Sequence, residues 1–375
     1  MTRLKVLHLI DTGDRGGAET VLDTIVGGLD PSVIESRVIV GWDDWLSARM
    51  TERGVGVTVV SGDSAADFRY LGGLMREIRR FAPDVVHAHL LGPAVYGSMA
   101  AALTTGVPVV CTIHGRPDIP DPDHLRPVKA RLVSRAANRV VYVSEDLRAW
   151  AEPLLGIPPR RGLVVRNGVV FASEALAPCD RSSLGVDDGE FLVGAVGNVR
   201  WAKDYATLVR AAAIVCSRRS DVRFVVAGDK QAGLIEPLES LVAELGLEER
   251  FRFLGFRSDA SNLVRCFDLF VSSSLTEGLP LATVEAVGLG TPAVLTDVGG
   301  VSEIVEDGIT GRLVPSRSPR ALATGILDAL SDPRSSATMA RAGQEDVRHR
   351  FSARRMCDEY VALYRQLVGD RAPLV

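Results

Sequence analysis

Glu277 and Glu285 stand eight positions apart in TEGLPLATVEAVGLGTP, across the point where an apolar run gives way to a helical pattern. An ionised carboxylate accepts hydrogen bonds in pairs, which suits a vicinal diol on a ribose or a hexose. The run CFDLFVSSS over 266–274 is apolar with β-branched residues and reads as a parallel strand, and Pro280 sits where a helix tolerates proline, in its first turn. Glu277 is therefore expected in the loop and Glu285 on the helix. The start of that helix presents N–H groups and the positive pole of the peptide dipoles, a setting for phosphate. N–H groups for phosphate beside carboxylates for diols describe a site for a nucleotide sugar.

Other residues could serve the same chemistry. GNVRWAKDY (197–205) puts Arg200 and Lys203 in a loop at a strand's carboxyl end. Breaking a sugar–phosphate bond builds negative charge on the departing diphosphate, and fixed cations there stabilise the transition state more than the ground state. Gly16 and Gly17 form a turn at a helix start, open to close approach by phosphate or acceptor, or simply tight. The run GDRGG does not fit a dinucleotide fingerprint, which argues against an oxidoreductase. His114 closes the strand VPVVCTIH. His87 and His89, two apart, share one face of their strand and are expected to be buried imidazoles satisfied by backbone, unless one touches an acceptor. A zinc site would need a third and fourth ligand, no suitable spacing supplies them, and no metal is expected. Asp121 and Asp123 lie in a proline-rich loop rather than at a strand end, and read as a surface or acceptor-facing loop rather than a manganese site.

The elements that must position these residues come from alternating apolar runs and amphipathic stretches. Runs at 5–11, 36–42, 57–62, 84–90, 107–115 and 139–145 are candidate parallel strands, each followed by helix-like sequence. After a polar stretch at 173–190 a second series appears at 191–198, 223–229, 251–256, 269–274, 292–297 and 311–315. The fold class is α/β: two doubly wound domains, with ligands expected beyond the carboxyl ends of the strands, in a cleft between them. The first is expected over 1–175 on the acceptor side and the second over 185–350 on the donor side. The tail 351–369 has apolar helical spacing at Met356, Tyr360, Leu363 and Leu367 and fits either domain by periodicity alone.

Bulk properties exclude more than they assign. At 375 residues the chain suffices for two domains, and its net charge of −4 gives no support to a nucleic-acid partner. Five scattered cysteines show neither metal nor disulfide spacing, which points to a reducing compartment. The apolar core of MTRLKVLHLID is too short for a signal peptide or a membrane span, so a cytoplasmic location is expected. Arginine outnumbers lysine 39 to 4, read as genomic bias. Arg126, Lys129, Arg131, Arg135 and Arg139 form a basic stretch, either a solvated helix face or a weak peripheral contact with an anionic membrane.

The segment 274–311 resembles the donor-site core of the retaining glycosyltransferases of family 4, whose fold is GT-B. GGAE (16–19), DVVHAHL (84–90), TIHG (112–115), VSEDLR (143–148), VRNGV (165–169) and GNVRWAKDY match the family in order. The resemblance implies a metal-independent hexosyltransferase with no cofactor, using a nucleoside-diphosphate sugar. Its acceptor would be a glycan, a lipid-linked glycan or a small molecule, in envelope or exported-polysaccharide synthesis. Glu285 would hold the ribose diol, Glu277 the hexose 3- and 4-hydroxyls, and backbone over Gly278, Leu279, Pro280 and Leu281 the diphosphate and sugar. His114 would face the donor sugar, Gly17 would contact a ligand, and Phe256 would line the base pocket. Lys203 matches the family's lysine by register. Asn198 takes the place of the usual arginine, and Arg200, displaced by two, either reaches the diphosphate or lies on the surface. The family's C-terminal helix, here 351–370, commonly crosses back onto the first domain. Two rivals share the same residues: a sugar-nucleotide epimerase or hydrolase, and a non-catalytic sugar-nucleotide binder.

Overall fold

The computed structural model describes residues 3–62, 68–119, 124–171 and 180–369; Asp121, Asp123 and Cys179 lie outside them. The chain divides into two compact units, Met1–Val170 with Ala353–Val375, and Phe171–Ser352.

The N-terminal unit is built on a parallel sheet. Its strands are β1 (Leu4–Leu9), β2 (Ile34–Val40), β3 (Gly56–Val59), β4 (Val85–His89), β5 (Val109–Ile113), β6 (Arg139–Tyr142) and β7 (Gly162–Val164), in the order β3-β2-β1-β4-β5-β6-β7. Strands covered by helices on both faces are mostly apolar, and β4 and β5 are buried at every position, His87, His89 and Thr112 included. The order reverses between β1 and β4, so the crevice beyond their carboxyl ends is this unit's topological switch point. The helix Ala353–Gly369 packs on β4 and on the helix Gly17–Gly28. It buries Met356, Cys357, Tyr360, Leu363, Tyr364 and Leu367, the face its spacing had marked. Its first N–H, at Ala353, donates to the Val169 carbonyl at 3.0 Å.

The second unit repeats the design with β8 (Phe191–Val196), β9 (Val222–Ala227), β10 (Phe251–Gly255), β11 (Leu269–Ser272), β12 (Ala293–Thr296) and β13 (Arg312–Val314), all parallel, in the order β10-β9-β8-β11-β12-β13. Its switch point lies between β8 and β11. The helices Tyr205–Cys216 and Pro319–Ser331 pack on one face through Leu208, Val209, Ala212, Leu322 and Ile326, against Val193, Val226, Val271 and Val294. Burying one such side chain stabilises the fold by roughly 1.5–3 kcal/mol.

Most differences from the expected pattern are local. Strand β7 went unrecognised because GLV is too short to show a period. Cys266 ends the helix Ala260–Cys266 rather than opening the strand, which begins at Leu269. The units meet at Val170/Phe171, ahead of the polar stretch at 173–190, and again at Ser352/Ala353. Cys111, Cys216 and Cys357 are free thiols, but Cys266 is disulfide-bonded, so the cysteines no longer argue for a reducing compartment. Among the described residues no helix is long and apolar enough to cross a membrane.

Candidate functional site

The loops that follow β8 and β11, at the switch point of the second unit, hold most of the candidate residues. The Lys203 Nζ donates to Glu277 Oε1 at 2.7 Å, with both side chains largely withdrawn from solvent. The Ser274 hydroxyl donates to the same oxygen at 2.6 Å, and the Ser273 hydroxyl to the Lys203 carbonyl at 2.8 Å. The Leu275 N–H bonds the Ala202 carbonyl at 2.8 Å, and the Tyr205 hydroxyl the Gly197 carbonyl at 2.7 Å. Two loops distant in sequence are thereby stitched into one surface. Asp204, directly after Lys203, adopts left-handed φ of 44° and caps the helix Tyr205–Cys216, accepting from the Thr207 N–H at 3.4 Å and from the Thr207 hydroxyl at 2.7 Å. Backbone strain of this kind concentrates at functional sites.

Pro280 caps the helix Leu281–Gly288, where its fixed φ fits and its missing N–H costs nothing. The Thr283 and Val284 N–H groups both donate to the Pro280 carbonyl at 3.1 Å, and no helical carbonyl precedes the N–H groups of Leu281 and Ala282. Glu285, one turn further on, is half-buried and accepts from the Ser261 hydroxyl. Burial raises its pKa above the ordinary carboxylate value, with the Ser261 hydrogen bond opposing. Gly299 stands at φ 57°, where a Cβ would overlap the Glu277 carbonyl oxygen, so only glycine lets this neighbouring loop pack against the Glu277 backbone.

In the N-terminal unit the switch point carries a second group. Leu90, after β4, has φ 74°, strained for a non-glycine residue. His114 is half-buried, and its withdrawal from water takes its pKa down to about 3, so the ring is neutral. Its Nε2 lies 3.1 Å from His89 Nδ1. The Asp118 carboxylate accepts the N–H groups of His114 at 2.6 Å and Gly115 at 3.0 Å, which fixes the turn after β5. Burial pushes Asp118 up to about 7 and Asp11 up to about 6, with Glu19 close enough to add to both.

Two family models match this chain: "Glycosyltransferase Family 4" over 15–172 and "Glycosyl transferases group 1" over 178–346. A D-inositol 3-phosphate glycosyltransferase of Mycobacterium sp. (strain KMS) is 33% identical over 323 residues, 80% of this chain and 71% of the relative. The corresponding protein of Mycolicibacterium vanbaalenii is 31% identical over 334 residues, with the same coverage. Among solved structures, Anabaena HepE in complex with UDP and glucose superposes with a TM-score of 0.86 at 25% identity, covering 97% of this chain and all of the other. A glycosyltransferase from Rickettsia africae gives a TM-score of 0.87 at 19% identity, covering 98% and 99%, a likeness of fold.

The chain belongs to glycosyltransferase family 4.

For a family 4 glycosyltransferase of the GT-B fold, the structure sorts the candidate residues. It brings Lys203 and Glu277 into contact, sets Gly278, Leu279 and Pro280 between Glu277 and the helix bearing Glu285, and makes Leu281 the first residue of that helix. Arg200 is exposed at the head of the short turn Trp201–Lys203, and Phe256 is exposed after β10. Asn198 has a structural task, its Oδ1 accepting the Asp229 N–H at 3.0 Å. His114 and Gly17 belong to the N-terminal unit. A Cβ at Gly17 would meet nothing within 4 Å, so the fold itself does not require glycine there. The expectation that His87 and His89 are satisfied by backbone is corrected. His87 bonds the side chains of Tyr364 and Thr112, each at 2.7 Å, and His89 Nε2 is without a hydrogen-bond partner.

Sequence reading passed over Ser273, Ser274, Tyr205, Ser261 and Asp118. The serine run ahead of Glu277 and the aspartate four residues after His114 were visible. Nothing in the sequence paired Ser261 with Glu285, because their contact depends on two helices packing.

Proposed function

We propose that this family 4 glycosyltransferase moves a hexose from a uridine diphosphate sugar to an acceptor hydroxyl, with retention of anomeric configuration and without a metal ion. The observation that carries the reading is the Lys203–Glu277 contact at the β8/β11 switch point, with half-buried Glu285 on the adjoining helix. HepE, whose structure holds UDP and glucose, supports a uridine donor. In this reading Glu285 holds the ribose diol and Glu277 the hexose hydroxyls, while the helix start at Leu281 takes the diphosphate. Lys203, joined by Arg200, balances charge on the departing group. The acceptor oxygen bonds to the anomeric carbon as the bond to the diphosphate breaks, and the acceptor proton passes to the departing phosphate oxygen on the same face. A neutral His114 suits a positioning role better than a charged one.

The relatives are named for inositol 3-phosphate, so a polyol acceptor is the first class to test. A glycan or lipid-linked acceptor in envelope synthesis is the wider class. The helix Arg126–Ala136, with exposed Val128, supports weak contact with an anionic membrane from the cytoplasmic side.

The test is a thermal-shift comparison of UDP-, GDP- and ADP-glucose with EDTA present, on wild type and Glu285→Ala. Binding to the native state raises Tm. A shift with the uridine sugar alone, lost in the variant, is expected. Incubation of UDP-glucose with inositol or inositol 3-phosphate should then release UDP together with a glycoside. Free glucose without an acceptor product would mark a hydrolase, and no shift with any nucleotide sugar would sink the donor assignment.

A further inference from the structure

We propose that His8, His87 and His89 form a buried binding site for a divalent cation of the zinc class within the N-terminal unit. Strand pairing sets His8 directly beside His87, and His89 follows on the same face of β4. The third ligand that spacing along the chain did not reveal is supplied by a neighbouring strand 79 residues away. One ring nitrogen from each of the three lies within 4.8 Å of the others. Ring centroids are 4.1 Å apart for His87 and His89, 5.4 Å for His8 and His87, and 5.8 Å for His8 and His89. Three imidazoles on a tetrahedral zinc, with bonds of about 2.0–2.1 Å, have centroids about 5 Å apart, so small ring movements close the site.

The hydrogen bonds point the same way. All three rings are fully enclosed, yet neither nitrogen of His8 has a hydrogen-bond partner, and nor does His89 Nε2. Buried polar atoms are nearly always paired, so bare nitrogens gathered in one place call for a shared partner. The other nitrogens already have the contacts expected around metal-bound histidines. His89 Nδ1, at 3.1 Å, can donate to His114 Nε2 while Nε2 faces a metal, and His87 keeps Tyr364 or Thr112 at 2.7 Å. Should His87 turn from Thr112, that hydroxyl retains Tyr360 at 3.3 Å. A set of neutral imidazoles selects zinc, nickel or copper over magnesium or calcium. Such an ion would tie β1 to β4 beneath the helix Ala353–Gly369 and hold His114 through His89. Its role is structural and lies outside the sugar-transfer chemistry.

Because the site is enclosed, the ion must enter during folding. The full-length chain is refolded with zinc or cobalt(II), treated with EDTA to strip surface ions, and assayed for metal by mass spectrometry. Expected are one retained ion per chain, visible absorption bands of low-symmetry cobalt, and a higher Tm than for chain refolded without metal. His8→Phe should lose all three. Should His8→Phe fail to fold, His89→Gln serves as the second variant, and the wild-type metal content stands by itself. A wild type that retains no ion, with a Tm indifferent to metal during refolding, would overturn the site and leave an ordered water as the shared partner. Equal retention by a folded His8→Phe would also overturn it.

Discussion

At the scale of residues, the loops after β8 and β11 are joined by the ion pair of Lys203 with Glu277. Lys203 is held by Glu277 before any ligand arrives, so its ammonium is prepositioned rather than recruited. Lys203→Ala should lower kcat/KM by about 10²–10³ with UDP-sugar, the usual cost of losing a fixed donor at a site of developing charge. Glu285 has the opposite character. Its raised pKa means that ionisation costs more in the fold than in water, and the carboxylate form is the one that accepts a diol. Acidification should therefore weaken donor binding from a pH above the ordinary glutamate range. Glu285→Gln should bind weakly at every pH while melting no lower than wild type near neutrality. Titration calorimetry and thermal melts across pH check both halves. Gly17 separates ligand from fold: since a Cβ there meets nothing, Gly17→Ala should keep or raise Tm and lose turnover only if a ligand approaches.

At the scale of elements, the site depends on how loops at neighbouring strand ends lean on one another. Gly299 follows β12, and its left-handed backbone lets it pass under the Glu277 carbonyl. Gly299→Ala should displace the Glu277 backbone and its side chain with it, abolish the UDP-sugar thermal shift and destabilise the unit by roughly 1–3 kcal/mol in urea titration. Asp204 combines a helix cap with strain. Asp204→Ala loses the cap to Thr207 and should cost about 1 kcal/mol, whereas Asp204→Gly, which also relieves φ, should cost less.

At the scale of the whole molecule, the two units differ in how the chain builds them. Phe171–Ser352 is continuous, but the N-terminal unit borrows its last helix from the other end of the chain. A fragment of residues 171–352 should fold alone and keep a UDP-dependent thermal shift. Residues 1–170 alone leave bare the surface that Met356, Tyr360, Leu363, Tyr364 and Leu367 cover, and remove the Tyr364 hydroxyl from His87. Circular dichroism should show that fragment melting without a cooperative transition, restored by a peptide of residues 353–369.

Much of this was determined by sequence alone. Twelve of the strands were readable as apolar runs because buried parallel strands admit little else, and the positions of Glu277 and Lys203 in strand-end loops and of Glu285 on the following helix were readable from the same pattern. What the tertiary structure alone decided were pairings across strands and helices far apart in the chain. Ser261 meets Glu285, Lys203 meets Glu277, and His8 meets His87 only once the chain has folded. The tail's apolar spacing marked its buried face but not the surface it would cover. One helix face buries equally well on many partners, so periodicity names the face and packing chooses the neighbour.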